Sequence, residues 1–358
     1  MFDRKFAYHY LIAICVIGVA GYFSDKIKQG LSSNDAENNL IRQYLLNESP
    51  LYGFNRPKLW IHSTYEKNAR QWKDFYSRNS TDMNQPYIHL TIKSIINHCG
   101  NDFNICLIDD ETFSRLIPTW DVNMDGLPEP ARAMYRELGL MKLLYLYGGI
   151  VVPNSFLCLK NLTPLVVAKE GTTEGTAFFA EEINRTCNVV KKQENTCFIP
   201  GTKIMGAQKS CPIIKVLIEF IEKRNSFPHF NNESAFLGEV QQKILSTQST
   251  IIDGRLVGIK TTKNKPILLE DLLSENFLDL DEKAYGIYIP ADQVLSRPKY
   301  QWFAYLSSGE VLETNAVITK YLKASATDTH RVADSHRVAD TIDTHKVDSH
   351  TLKSVTTI

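Results

Sequence analysis

The sequence predicts an α/β fold, a mainly parallel sheet with helices on its faces, over residues 56–322 of a chain of 358. Three observations carry that expectation. Short apolar runs of strand length alternate with stretches whose apolar residues recur every three or four positions. The longest such stretch, Pro130 to Tyr147, stops at Gly148-Gly149 and leads straight into Ile150-Val151-Val152. Strand, helix, strand, helix, helix, strand is the order that parallel crossover units produce.

Each element follows from its residues. Pro57 to His62 (PKLWIH) is an apolar run behind a proline and reads as the first buried strand. Helical patterning follows around Ala69 to Tyr76 and again from Tyr87 to Cys99. Asn104 to Ile108 (NICLI) reads as a second strand that ends abruptly in Asp109-Asp110. Those acids are expected to open a new helix, with Asp110 as its cap, because a side-chain oxygen there accepts from free backbone N–H groups. Glu129-Pro130 suits the start of the long helix. Ala131, Met134, Leu138, Met141 and Tyr145 form one apolar stripe, and Leu140, Leu143, Leu144 and Tyr147 a second, so two sides should be buried. Gly148-Gly149 ends it, since glycine accepts the backbone turn that stops a helix. Farther on, GIYIP (286–290) looks like a strand, and Tyr300, Trp302, Phe303 and Tyr305 are expected in the core of the same body.

Ligands of such sheets bind beyond the carboxyl ends of the strands. The pattern therefore gathers His62 to Tyr65, Asp109-Asp110 and Pro153-Asn154-Ser155 around one crevice.

Composition narrows the function classes. With 43% apolar and 22% charged residues, a large core is available. Forty basic residues balance forty acidic ones, which argues against a nucleic-acid partner. Seven cysteines without a CxxC pair exclude a small disulfide scaffold, a zinc ribbon and a thioredoxin-like site.

The two ends differ from the body. Phe6 to Phe23 is an apolar run long enough, at the short limit, to span a bilayer. A cleaved signal peptide and a buried core helix are the alternatives. As a signal-anchor (1–23) with a polar stem (24–55), it leaves a single-pass type II protein with its body in the ER or Golgi lumen or an equivalent compartment. From about 323 the chain carries HRVAD twice and degenerate copies after that, a low-complexity tail (323–358) too poor in large apolar side chains to order itself. The irregularly spaced His330, His336, His345 and His350 fit repeat slippage better than metal binding.

PKLWIHSTY (57–65) and ELGLMKLLYLYGGIVVPNSFLCLKNLTPL (137–165) resemble segments of the glycosyltransferases of the capsular-polysaccharide and yeast mannosyltransferase group. That group reads P-K-I-I-H-Q-x-W and S-D-x-x-R-x-x-x-L-Y-x-x-G-G-x-Y-x-D-x-D. The resemblance implies a GT-A-like, Rossmann-like fold, a nucleotide-sugar donor and transfer of a hexose to a hydroxyl of a glycan, lipid or protein. It implies donor contacts for His62, Gly149, Asn154 and Ser155 and makes Glu137 a candidate for catalysis, while Asp109 as a donor contact and Asp110 as a second catalytic candidate follow from their place at a strand's carboxyl end. Where the group has D-x-D, this chain has Pro153, Asn154 and Ser155. The expectation is accordingly no metal at the usual place and no cofactor, because proline offers no ligand and neutral oxygens bind hard cations weakly. Arg136, Lys142 and Lys160 are the cationic side chains in the right segments to meet a departing diphosphate. A catalytically inactive transferase fold that binds or supports at the membrane is the alternative, and an unrelated function on the same fold is a third.

Other signals have plainer accounts. Asp121, Asn123, Asp125 and Gly126 imitate half of a calcium loop, but Arg132 stands at the twelfth position and an Asx turn explains them better. Cys99, Cys106 and Cys158 are expected to pack as small hydrophobes, while Cys187 and Cys197 bracket a polar loop where an oxidising compartment would permit a disulfide.

Overall fold

The computed structural model describes residues 56–63, 67–69, 79–83, 85–166, 176–184, 198–226 and 233–326. The expected anchor, the stem, the Cys187–Cys197 loop and the repeats lie outside the described residues, as does the helix expected around Ala69 to Tyr76 except for Ala69, which ends a short strand. Among those described, no helix is long and apolar enough to cross a membrane.

The first strands appear where the apolar runs place them: β1 (Lys58–His62), the small pair β2 (Lys67–Ala69) and β3 (Asn79–Met83), and, after helix α1 (Tyr87–Cys99), β4 (Asn104–Ile108). A one-turn helix α2 (Thr112–Leu116) and the long α3 (Glu129–Tyr147) follow, then β5 (Gly149–Pro153) and β6 (Phe156–Cys158). The second half adds β7 (Ala177–Ile183), β8 (Phe198–Ala207), α4 (Pro212–Asn225), α5 (Glu233–Leu245), β9 (Thr250–Ile252) and β10 (Gly286–Tyr288). The six-stranded sheet has the order β4-β1-β5-β8-β7-β9. β4, β1 and β5 run parallel, β8 runs antiparallel to both β5 and β7, and β9 is parallel to β7. β8 alone runs against the other five strands, so the sheet is mainly parallel, as the sequence predicts.

Helices cover the sheet: Met141, Leu143 and Leu144 of α3 are fully buried in a cluster with Trp60, Val151 and Met205 of the sheet and Leu217 and Ile221 of α4. Each such aliphatic side chain contributes about 1.5–3 kcal/mol by leaving water. Elsewhere in the body α1 lies against β6, and its first residue Tyr87 packs on Phe303 with ring centroids 4.9 Å apart. Tyr300 and Phe303 are core residues as expected, whereas Trp302 is exposed. β10 pairs antiparallel with β6.

The corner between α3 and β5 is built on two glycines at positive φ, +70° at Gly148 and +108° at Gly149. The Trp60 indole N–H donates to the Gly148 carbonyl at 2.9 Å and ties the corner to β1.

Two sequence expectations need correcting. Asp110 does not cap α2: Asp109 does this work, accepting from the Thr112 N–H at 2.9 Å, and leaves the Asp110 carboxylate to other partners. A helix over 317–326 carries the body past residue 322, because Leu322 and Ser325 are both buried.

Candidate functional site

The carboxyl ends of β4, β1 and β5 stand level. His62 is the register partner of Ile108 on one side and of Pro153 on the other. The residues that follow are tied together: the Ser63 N–H donates to the Ile108 carbonyl at 2.9 Å, and the Asn154 amide donates to the Ser63 hydroxyl at 3.2 Å. From α1, the Thr91 hydroxyl donates to the Asn154 carbonyl at 2.6 Å. His62, Asp109 and Asn154 thus share one edge of the sheet.

An ionic network sits at this edge. Arg136 of α3 donates from Nε to Asp110 Oδ1 at 2.8 Å and from Nη2 to Oδ2 at 2.7 Å. His62 Nε2 lies 2.8 Å from the same Oδ1, and the Phe113 ring stacks on the imidazole with centroids 5.7 Å apart. Side-chain exposures of 16% for His62, 14% for Asp110 and 21% for Arg136 leave the network mostly buried, with a minor share of its surface in water. Burial alone would raise the Asp110 pKa, but His62 and Arg136 outweigh it and hold the carboxyl well below the ordinary carboxylate range. A carboxylate so engaged is a poor proton acceptor and a good positioner of the imidazole and guanidinium.

The remaining sequence candidates divide. Glu137 is half-buried on α3 beside Arg136. Ser155 is 2% exposed, and its carbonyl accepts from the Ile289 N–H at 3.2 Å, so it serves the interior. Gly149 does not join the others. It opens β5, about 13 Å of strand from Pro153, and its role is the close approach to Lys58 that any Cβ would prevent. Lys142 pairs with Glu222 at 2.7 Å, and Lys160 donates to the Glu282 carbonyl. Neither belongs to the His62 network.

Sequence reasoning missed Lys203 and Tyr288. Between the pairs Phe179↔Met205 and Glu181↔Pro200, β7 has one residue and β8 has four, Gly201 to Ile204. This bulge lies just past Met205, the register partner of Val151, and therefore beside the carboxyl end of β5. Bulges re-aim side chains in this way. Lys203 Nζ donates to the Tyr288 hydroxyl at 2.8 Å and lies 4.8 Å from that ring's centroid, while its backbone N–H donates to Glu182 Oε1 at 2.9 Å. Tyr288 pairs with Phe156, which places both side chains next to the 153–155 turn. Burial pulls the Lys203 pKa down, yet Tyr288, Glu182 and Asp292 more than offset this and hold the ammonium charged. The signal was available: a glycine and a lone lysine inside the apolar run FIPGTKIMGA mark an interrupted strand.

The 153–155 turn does not suit a divalent cation. It offers no carboxylate, the Asn154 amide nitrogen faces Ser63, and Ser155 is turned inward. Among the described residues, no group of three or more His, Cys, Asp or Glu side chains is placed to hold a metal ion. In the calcium-like loop, Asn123 accepts from the Asp125 N–H at 3.2 Å, as an Asx turn does. Arg132 donates to the carbonyls of Met124 at 3.1 Å and Leu127 at 2.9 Å, and so fills the loop with the chain's own cation.

No protein-family model matches the chain, and no curated protein matches it in sequence. Among solved structures it is similar to the PaToxG glycosyltransferase, at 14% identity over 60% of this chain and 80% of that one, with a TM-score of 0.31. It is similar to the apo form of the glycosyltransferase GlyE of Streptococcus pneumoniae TIGR4, at 11% identity over 72% of this chain and 62% of that one, with a TM-score of 0.34. It is also similar to the galactosyltransferase LgtC in complex with donor and acceptor sugar analogues, at 11% identity over 76% of this chain and 95% of that one, with a TM-score of 0.34. Scores of this size carry no argument by themselves, and the fold rests on the chain's own sheet and helices.

Proposed function

We propose that the carboxyl edge of the sheet binds a nucleotide sugar and that the chain is glycosyltransferase-like, moving a hexose to a hydroxyl of a glycan, lipid or protein. The observation that supports this reading is the meeting of His62, Asp109 and Asn154 at the ends of three adjacent parallel strands, in segments that resemble a sugar-transferring group. In the transfer, the bond between the anomeric carbon and the diphosphate oxygen breaks, and its electron pair leaves on the diphosphate. The acceptor oxygen bonds to that carbon and gives up its proton, for which Glu137 is the carboxylate candidate, since Asp110 is committed to Arg136 and His62. The departing charge is met by Lys203 rather than by a metal at the 153–155 turn. Residues 6–23 tether the body to a membrane, with the body in a lumenal compartment.

The test is to incubate the purified full chain with a panel of nucleotide sugars, with and without EDTA, following thermal shift and donor turnover. Turnover that persists under chelation is the expected result. Binding without turnover selects the inactive binding protein; no binding of any donor ends the proposal.

A further inference from the structure

Cys99 and Cys158 were expected to be inert core residues, and each is fully buried. Their Sγ atoms nevertheless lie 3.9 Å apart, 59 residues apart in sequence, with one at the last residue of α1 and the other at the last residue of β6. A sulfur–sulfur bond measures about 2.05 Å, so closure requires roughly 2 Å of approach, within reach of side-chain rotation if the backbone yields slightly.

Hydrogen bonds hold the backbone around the pair in place. The Cys158 N–H donates to the Ser94 hydroxyl at 2.8 Å, and one turn earlier Thr91 holds the Asn154 carbonyl. Ser325, from the last described helix, stands over the same place with its hydroxyl 3.4 Å from the Cys158 carbonyl. α1 is therefore held to the 154–158 segment at two points, and the two sulfurs stand where a third would be.

We propose that Cys99 and Cys158 are a cross-linking site, forming a disulfide that staples α1 to β6 beneath the candidate donor edge. A small-molecule disulfide such as oxidised glutathione is the oxidant. One of the two cysteines attacks it as the thiolate, releasing one reduced thiol. The other then loses its proton and attacks the mixed disulfide, releasing the second. Two protein thiols become one disulfide, and one oxidant molecule becomes two thiols. Because both sulfurs are sealed in the finished fold, exchange takes place during folding, before α1 closes on β6. The staple fixes the segment that begins with Asn154, independently of whether that segment binds a sugar.

The experiment uses the full chain, refolded with a mixture of reduced and oxidised glutathione, then unfolded in guanidinium with iodoacetamide so that every free thiol is reached, and digested without reduction. The expected product is a peptide pair joined through Cys99 and Cys158, two hydrogens lighter than its parts. Reduction should lower the Tm by roughly 5–10 °C in the wild type and leave the Cys99→Ala/Cys158→Ala double variant unmoved. Full alkylation of both cysteines after refolding in the glutathione mixture overturns the proposal. So does a linked pair whose reduction leaves the Tm unchanged, because a bond that does not constrain the fold is no staple. Since peptide mapping is done on the wild type, the result does not depend on either variant folding.

Discussion

Arg136 grips Asp110 with two nitrogens, Nε at 2.8 Å and Nη2 at 2.7 Å, and so fixes the long helix α3 to the end of β4. The same carboxylate holds His62 at the end of β1, so a single side chain joins a helix and two strands at the candidate edge. Removing one partner of a half-buried pair leaves the other poorly solvated. Asp110→Asn is expected to cost about 1–3 kcal/mol in urea unfolding. The Asp110→Asn/Arg136→Met double variant should lose less than the sum of the two single changes, a coupling of about 1 kcal/mol or more. Strict additivity would mean that the pair does not act as one unit.

Acid stability follows from the same carboxylate. The Asp110 pKa is lowered in the folded state relative to its unfolded value of about 3.9. Its contribution is fully present above that value and is lost as the pH falls through it toward the folded pKa. The wild type should therefore lose stability below about pH 4 more steeply than Asp110→Asn. Unfolding midpoints measured from pH 6 to pH 2.5 compare the two slopes, and parallel curves would contradict the assignment.

Gly149 is a structural requirement of the corner. Its φ is +108°, and a Cβ there would stand 2.1 Å from the Lys58 carbonyl oxygen, a backbone atom that cannot swing away. Gly149→Ala is expected to cost about 3–5 kcal/mol, or to prevent accumulation of folded protein. Gly309→Ala, in the short helix Ser308–Glu313, is the control, since a Cβ at Gly309 meets nothing within 4 Å and alanine favours a helix by up to about 1 kcal/mol. Equal effects at the two positions would refute the packing account.

The first half of the body was legible because its elements are local. NICLI needs no partner to look like a buried strand, and the Gly148-Gly149 stop is written in two adjacent letters. The convergence of His62, Asp109 and Asn154 was legible as well, because parallel order alone brings strand ends to one edge. What escaped notice depends on pairing across distance. Asp109 caps the helix while Asp110 is engaged by Arg136, which lies 26 residues beyond it. The β8 bulge exists only relative to its partner β7, and Lys203 finds Tyr288 85 residues away. Gly149 was drawn into the site by resemblance to a motif, whereas its position at the amino end of β5 serves the fold.

Lys203 offers the sharpest test of how a diphosphate would be met. A lysine within an apolar strand remains charged only while its partners outweigh burial, and here Tyr288, Glu182 and Asp292 do so. Methionine keeps much of the lysine stem's volume and removes the charge. If the ammonium faces the leaving group, Lys203→Met should weaken binding of a nucleoside diphosphate by about 10-fold or more, a loss of at least about 1.4 kcal/mol. The uncharged nucleoside should bind the wild type and the variant alike, because it makes no use of that ammonium. Lys203→Arg, which keeps the charge, should retain more diphosphate affinity than the methionine variant. Calorimetric titrations in EDTA, with circular dichroism to confirm that each variant is folded, separate the possibilities. A wild type that binds neither ligand rejects the sugar-nucleotide reading as a whole. A folded Lys203→Met variant that binds the diphosphate as well as the wild type does rejects only the role of this side chain.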